Sequence, residues 1–354
     1  MSLLLVAPLI LLLITLVNFF FLRTPNRATE ISGQICVVVP LRNESANVEG
    51  LIASLSAQEG PFHFYLLDDN SEDHTLALLK SFTKEDPRFT VFEGEPLAQG
   101  WIGKTWALQQ LYERSHEEII VSLDADVRLS KDALNLAVTG LNDFNLDFIS
   151  PYPRQIAVTW GERLVQPLLQ WSWLTTVPLR LAERLGRPSM AVANGQFFLV
   201  RRSALKKVDG YQRVKSAVID DLYLARQLIL HGATGTVVDG SKIAQTRMYT
   251  DWSEIKSGYG KSLHKAFGSI FGSIFVILFL LASSVAPLIF ALTGDIYGLI
   301  ALLAIIATRI LSAIKSSGKV FDSLLHPISA IVLIYLIAHS YLVRQSVLWK
   351  GRRV

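Results

Sequence analysis

The 354-residue chain reads as an α/β protein with a doubly wound sheet, flanked by membrane helices, and three observations predict this. Strand-like and helix-like segments alternate between residues 35 and 123 with short connections, the pattern of a parallel sheet with crossover helices. Uncharged apolar runs of spanning length sit toward both ends. Hydrophobic residues make up 51% of the chain and the mean hydropathy is +0.36, high for a protein surrounded by water alone.

The first element is "SLLLVAPLILLLITLVNFFFL", residues 2–22, which carries no charge. A cleaved signal peptide would need a basic n-region and a small-residue cleavage site, and neither is visible. Residues 1–23 are therefore expected to form an uncleaved transmembrane anchor. Arg23 and Arg27 follow, which places the middle of the chain on the cytoplasmic side of a cell membrane. Three further spans are expected within residues 269–343, making the protein multi-pass. Of these, 269–293 is uncharged, 296–314 carries only Arg309, and 324–343 holds His326 and His339. Lys315 and Lys319 in the last connection suit the cytoplasm. The basic tail, residues 344–354, conflicts with an odd number of C-terminal spans, because it would then fall outside. The segment with Pro287 is accordingly also readable as re-entrant. Residues 164–186 are apolar and Trp-rich, with two prolines and a charged second half. They read as a helix lying in the membrane interface, or as a core helix pair of the central domain.

Net charge is +4 and the pI near 9.1. Basic residues beside membrane spans account for this excess, and no nucleic-acid partner is expected. The single cysteine, Cys36, excludes an intrachain disulfide framework and a thiolate metal cluster, and reads as a small buried core residue.

The central domain spans residues 33–265. "ICVVVPL" suits a buried parallel strand and ends at "PLRNE", residues 40–44. "FHFYLLDDNS" is the next strand and ends at Asp68 and Asp69. "EEIIVSLDAD" ends at Asp124 and Asp126. Residues i and i+2 of a strand share a face, so this last pair of carboxylates would repel and call for a bound divalent cation. Each strand end also has a plainer reading, as a cap for the next helix. Asp73 and Ser45 are ordinary N-caps by type. Three acidic strand ends on one edge of a sheet nevertheless make an anionic pocket, at the place where such sheets bind ligands.

The segments "VVVPLRNE", "LLDDNSEDHT", "GWIGKTWAL", "LDAD", "NGQFFLVRRSAL" and "VIDDLYLA", in this order, resemble glycosyltransferase family 2, with the GT-A nucleotide-sugar-binding fold. "GWIGKTWA" and "LWKGR" are similar to the membrane-anchored branch that includes carotenoid- and hopanoid-associated glycosyltransferases. The resemblance implies a UDP-sugar donor, with Asp68 or Asp69 accepting the uracil N–H. It puts Pro40, Arg42 and Glu44 at the nucleotide pocket, and Lys104 at uracil or diphosphate. A lysine at a helix start is disfavoured by the helix dipole unless an anion is near, although a solvated lysine is the plainer reading. Asp124 and Asp126 would hold ribose and a metal, Mg2+ or Mn2+. Asp221 aligns with the general base, and Asp220 stands where the family usually has Glu. Gly195 and Gln196 would lie beneath the acceptor.

Processive polysaccharide synthases of the family carry Q-x-x-R-W after the base. Here "QTRMYTDW", residues 245–252, has Gln245, Arg247 and Trp252 at another spacing, which weakens a polymer-synthase reading. Arg247 and Lys261 remain candidates for phosphate contact, with a basic juxtamembrane collar as the alternative for Lys261. The expectation is an inverting, metal-dependent hexosyltransferase that moves a sugar, glucose from UDP-glucose in the first place, onto a membrane lipid such as a carotenoid or hopanoid. Sugar transfer to polyprenyl phosphate or polymer extension is the rival task. A non-catalytic nucleotide-sugar-binding scaffold and a transporter are the rival classes. The intact Asp124, Asp126 and Asp221 oppose the first, and the scarcity of charge in the spans opposes the second.

Overall fold

The computed structural model describes residues 3–343 and, for the backbone alone, residues 348–349 and 352–353. The tail over 344–354, with its "LWKGR", otherwise lies outside the described residues. The chain forms two compact units, one of Arg23–Arg154 with Ala182–Thr246, the other of Met1–Leu22, Gln155–Leu181 and Arg247–Val354.

The strands are β1 (Ile35–Leu41), β2 (Phe62–Asp68), β3 (Phe89–Glu93), β4 (Ile119–Leu123), β5 (Val127–Leu129), β6 (Phe148–Tyr152), β7 (Arg154–Gln155), β8 (Phe197–Arg201), β9 (Gly235–Asp239) and β10 (Ala244–Thr246). The main sheet of the first unit has the order β3-β2-β1-β4-β8-β6-β9. Strands β3, β2, β1 and β4 are mutually parallel, as the alternating pattern predicts. The sheet departs from that pattern at β8, which runs antiparallel to both β4 and β6. The chain reaches β8 after the long excursion of residues 155–196 rather than by a crossover helix, so no βαβ crossover dictates its direction.

Helices α2 (Ser45–Ser56), α3 (Thr75–Thr83) and α5 (Ala133–Asp143) supply one apolar layer, and α4 (Gly103–Arg114), α8 (Arg202–Lys206) and α9 (Asp220–Leu230) the other. The stripe on α2 is Val48, Leu51, Ile52 and Leu55, spaced i, i+3, i+4, i+7. Covered on both faces, β1 has no polar side to alternate with. Cys36, Val37, Val38 and Val39 are all fully buried, each valine stabilising by roughly 1.5–3 kcal/mol.

Turn chemistry differs from expectation at one point. Ser45 is the first residue of α2, not its cap. Asp73 instead accepts from the backbone of both Thr75 (2.9 Å) and Ser45 (3.1 Å), so one carboxylate ties the starts of α3 and α2 together. The turns after β1 and β2 each place an asparagine, Asn43 and Asn70, at positive φ, which Asn tolerates better than most residues.

The second unit is helical: α1 (Val6–Phe21), α6 (Trp160–Thr176), α7 (Leu179–Leu185, at its border), α10 (Trp252–Ala266), α11 (Ile270–Leu280), α12 (Ala286–Leu292), α13 (Ile296–Lys315) and α14 (His326–Val343). Four helical runs are long and apolar enough to cross a membrane: Leu3–Phe21, Ile270–Leu292, Ile296–Lys315 and Val320–Val343. The run with Pro287 is continuous, not broken. Proline offers no backbone N–H, and a π-helical turn over Leu281–Val285 absorbs the mismatch before α12 begins. Helix α6 likewise runs through Pro167. It starts at Trp160, earlier than the apolar pattern indicates, because Thr159 and Glu162 form a capping box. Val165, Leu168, Trp171 and Leu174 form its buried stripe, and it packs on α1, α13 and α14.

Asn18 and Thr15 are the buried polar residues of α1, and Asn18 makes the long-range contacts. Its Nδ2 donates to the carbonyls of Leu174 (2.8 Å) and Val177 (2.7 Å), and its Oδ1 accepts from Leu179 N–H (3.1 Å), closing the corner after α6. Asn18→Ala orphans these groups at roughly 1–3 kcal/mol each. A lowered melting temperature in detergent is the expected result, with Asn18→Asp at least as damaging as Asn18→Ala, because it sets a carboxylate that cannot donate against the two carbonyls.

Candidate functional site

The site is built where β1, β2 and β4 end side by side. Their shared direction and register, with Leu41 opposite Asp68, bring all three acidic strand ends to one edge. The first two turns lock together. Arg42 donates to the carbonyls of Asp69 (2.7 Å) and Asn70 and to Glu72 (2.9 Å), and Asn43 Oδ1 accepts from Glu72 N–H. Arg42 is buried, and its guanidinium orders the loop carrying Asp68 and Asp69. Asp68 accepts from Ser71 N–H (3.1 Å) through Oδ2, while its buried Oδ1 has no hydrogen-bond partner among the described residues. Asp69 is buried beside it, and Pro40 lies half-buried in β1.

Asp124 and Asp126 do not continue a strand. They occupy the tight turn between β4 and β5, closed by Val127 N–H on the Asp124 carbonyl. Arg128 fixes this turn, donating to the Ala125 carbonyl (2.8 Å) and to Asn47 Oδ1 (2.9 Å). Asn47 in turn donates to Glu44 (2.7 Å), so the ends of β1 and β4 share one network. Asp126 accepts from the Thr246 hydroxyl at 2.9 Å. Burial, then the negative charges of Asp124 and Glu44, push the Asp126 carboxyl up to about 6.

The positive partner is Lys104, in the first turn of α4. Its Nζ lies 2.8 Å from Asp124 and 3.9 Å from Asp220. Burial pulls the ammonium down, but the fields of Asp124, Asp220 and Asp221 outweigh it and hold it well above the usual lysine range. Asp220 and Asp221 open α9, where the helix dipole favours acidic side chains. Asp221 is gripped through both oxygens, by Gly195 N–H (2.6 Å) and Leu222 N–H (2.7 Å). Burial and the adjacent Asp220 raise it to about 6. A Cβ on Gly195 would sit 3.2 Å from Asp221 Cβ and 3.3 Å from Lys104 Nζ, so the glycine makes room for these two side chains. Gln196 is buried, bonded to Asn194, and its carbonyl accepts from Asp124 N–H.

Glu44, Asp68, Asp69, Lys104, Asp124, Asp126, Gly195, Gln196, Asp220 and Asp221 thus belong to one unit. Arg247 and Lys261 belong to the helical unit. Arg247 donates twice to the buried Glu162 (3.0 and 3.2 Å) and Lys261 lies on α10. Thr246, between the more conspicuous Gln245 and Arg247, is a further site residue that no motif marks. The alternation of β10, with Gln245 exposed and Thr246 buried opposite Val127, is the signal that marks it. Tyr211, buried within reach of the fields of Asp220 and Lys104, had no sequence signal at all.

Among the described residues no set of three or more His, Cys, Asp or Glu side chains is arranged to hold a metal. Two hard carboxylates, Asp124 and Asp126, do fit an ion of the Mg2+ type, which commonly takes one or two carboxylates and completes its shell with phosphate oxygens and water.

Residues 36–209 match the sequence profile of Glycosyl transferase family 2. A beta-monoglucosyldiacylglycerol synthase of Synechocystis sp. is 26% identical over 59% of this chain and 43% of its own length. A 4,4'-diaponeurosporenoate glycosyltransferase of Staphylococcus aureus is 24% identical over 66% of this chain and 62% of its own. The chain thus spans less than half of the first relative and under two thirds of the second. In fold, the mannosyltransferase PcManGT from Pyrobaculum calidifontis, solved with GDP-Man and Mn2+, aligns at TM-score 0.57 and 18% identity, covering 93% of this chain and 94% of that one.

Gly195→Ala crowds Asp221 against Lys104 while leaving the sheet intact. Turnover is expected to fall about tenfold or more, since small misplacements of reacting groups are costly, with the melting temperature close to wild type.

Proposed function

We propose that the chain, whose residues 36–209 match the Glycosyl transferase family 2 profile, is a glycosyltransferase that transfers one sugar from a UDP-sugar, UDP-glucose in the first place, to a membrane lipid with inversion at the sugar carbon. The observation that carries this reading is Asp221, a carboxylate oriented by two backbone N–H groups and raised toward neutrality, next to the Lys104–Asp124 pair.

Asp221 accepts the proton of the acceptor hydroxyl as its oxygen attacks the anomeric carbon. The bond from that carbon to the diphosphate breaks on the opposite face. Lys104 meets the charge that develops on the departing diphosphate, leaving Asp124 for it. Asp124 and Asp126 would hold a divalent ion, which when bound neutralises diphosphate charge. The Asp68–Asp69 turn, ordered by Arg42, would receive the base, with the unpartnered Asp68 Oδ1 as acceptor for an imide N–H.

A lipid acceptor is supported by four helices of membrane-spanning character and by relatives named for the synthesis of monoglucosyldiacylglycerol and the glycosylation of diaponeurosporenoate. Arg23 and Arg27 after the first span favour a cytoplasmic catalytic domain. Polymer synthesis is less well supported, because Arg247 is engaged by Glu162 and Q-x-x-R-W is absent.

UDP release by the purified full chain, with UDP-glucose and a total lipid extract, tests the proposal. Release should require lipid, cease with EDTA and be lost in Asp126→Ala and Asp221→Ala. Release from GDP-mannose but not from any UDP-sugar would sink the donor assignment.

A pH series separates the two raised carboxyls. Below about pH 6 Asp221 is protonated and cannot accept a proton, so kcat should fall about tenfold per pH unit as pH drops further. Protonation of Asp126 over the same range should instead weaken donor affinity. A kcat flat from pH 5 to 8 would exclude Asp221 as the base.

A further inference from the structure

The helical unit holds a second polar cluster that the transfer chemistry does not use. Arg309, on α13, is 3% exposed, and its side chain donates no hydrogen bond to any described residue. Asp322, also buried, interacts with Arg309 electrostatically but takes its hydrogen bonds from Arg163, through Nε at 2.9 Å and through Nη2 at 2.5 Å. The carboxylate is thus bonded by Arg163, and the more deeply buried Arg309 has no hydrogen-bond partner among the described residues.

His326, the first residue of α14, is fully buried and within the field of Arg309. Its Nε2 lies 3.0 Å from Ser284 Oγ, and its Nδ1 has no partner. Ser329, one turn further on and on the same helix face, is fully buried with an unpartnered Oγ. Trp171 joins the two helices: its ring is 4.6 Å from His326, centroid to centroid, and its Nε1 donates to Oγ1 of Thr308, the residue before Arg309 (2.8 Å).

We propose that Arg309, His326 and Ser329 form a binding site for the anionic headgroup of a membrane lipid, a phosphate, whose acyl chains lie along the apolar outer faces of α13 and α14. An excess cation and two unmatched polar groups are costly among helices of this kind, and such groups there mark ligand sites. The missing partner must be anionic and must accept hydrogen bonds, which a phosphate does. It must also reach helices whose outer faces are apolar, including the exposed Leu299, Leu303, Ile328 and Ile331, and a lipid is the anion that does so. The turn Val320–Leu325 before α14 exposes Phe321 and Leu324 beside buried Asp322 and Ser323, an apolar lip at the same end of the unit. This site is separate from the proposed transfer site and does not depend on which acceptor that site uses.

The test uses the full chain, delipidated in a neutral detergent. The probes are dioleoylphosphatidylglycerol, dioleoylglycerol with the same chains and no phosphate, and inorganic phosphate. Native mass spectrometry should find one phosphatidylglycerol retained per chain, and the melting temperature should rise with that lipid but not with dioleoylglycerol. Arg309→Met should weaken retention about tenfold or more and abolish the rise, while Arg309→Lys keeps part of both. If Arg309→Met does not fold, Ser329→Ala, which removes a donor without changing charge, should weaken retention in the same direction. Equal retention by the variants, or equal stabilisation by dioleoylglycerol, would overturn the site. Full stabilisation by inorganic phosphate alone would overturn its assignment to a lipid.

Discussion

Negative charge gathered at one edge of a sheet is the constraint around which the sheet-containing unit is organised. Glu44, Asp124, Asp126, Asp220 and Asp221 share one network of fields, with Lys104 as the cation in contact with two of them. Two like charges 4 Å apart interact by about 4 kcal/mol at the effective dielectric of a protein surface. Such an arrangement persists only if donors and cations are built in at the same time. The structure supplies them one by one: Lys104 to Asp124, the Thr246 hydroxyl to Asp126, and the Gly195 and Leu222 amides to Asp221. What these leave unmet is a demand for further positive charge and hydrogen-bond donors.

Around that edge, a layer of clamps turns flexible strand-end loops into fixed geometry. Arg42 holds the loop after β2, Arg128 and Asn47 hold the turn after β4, and Asp73 holds the starts of α2 and α3. None of these needs to touch a substrate to matter, since each fixes the backbone from which a reacting group projects. Gly195 works by the opposite means, through the absence of a side chain, so that the carboxylate and the ammonium can both approach its backbone.

The helical unit follows different physics. Among apolar helices, polar side chains find one another because nothing else satisfies them, and they become the specific contacts between helices. Asn18 joins α1 to the corner after α6, Trp171 and Gln170 join α6 to α13, and Arg163 joins α6 to the turn before α14. Arg309 and His326 stand apart within this unit because the same logic leaves them incomplete.

The sequence by itself determined the fold class, the four long apolar runs, the acidic strand ends and the residue types that gather at the candidate site. These are properties of local pattern: the period of apolar residues, the length of an uncharged run, the residue type at a strand end. Tertiary structure alone decided which groups face a site and which stabilise it. Arg42 and Asp126 look equally functional in sequence, yet one is bonded into a loop and the other is a crowded carboxyl at the strand edge. Thr246 and Tyr211 were invisible because hydroxyls are common and only distant pairing brings them to the carboxylates. The direction of β8, the helical continuity through Pro287 and the pairing of Arg247 with Glu162 share that cause. Each depends on contacts between residues far apart in the chain, and no local pattern encodes which distant partner a side chain will meet.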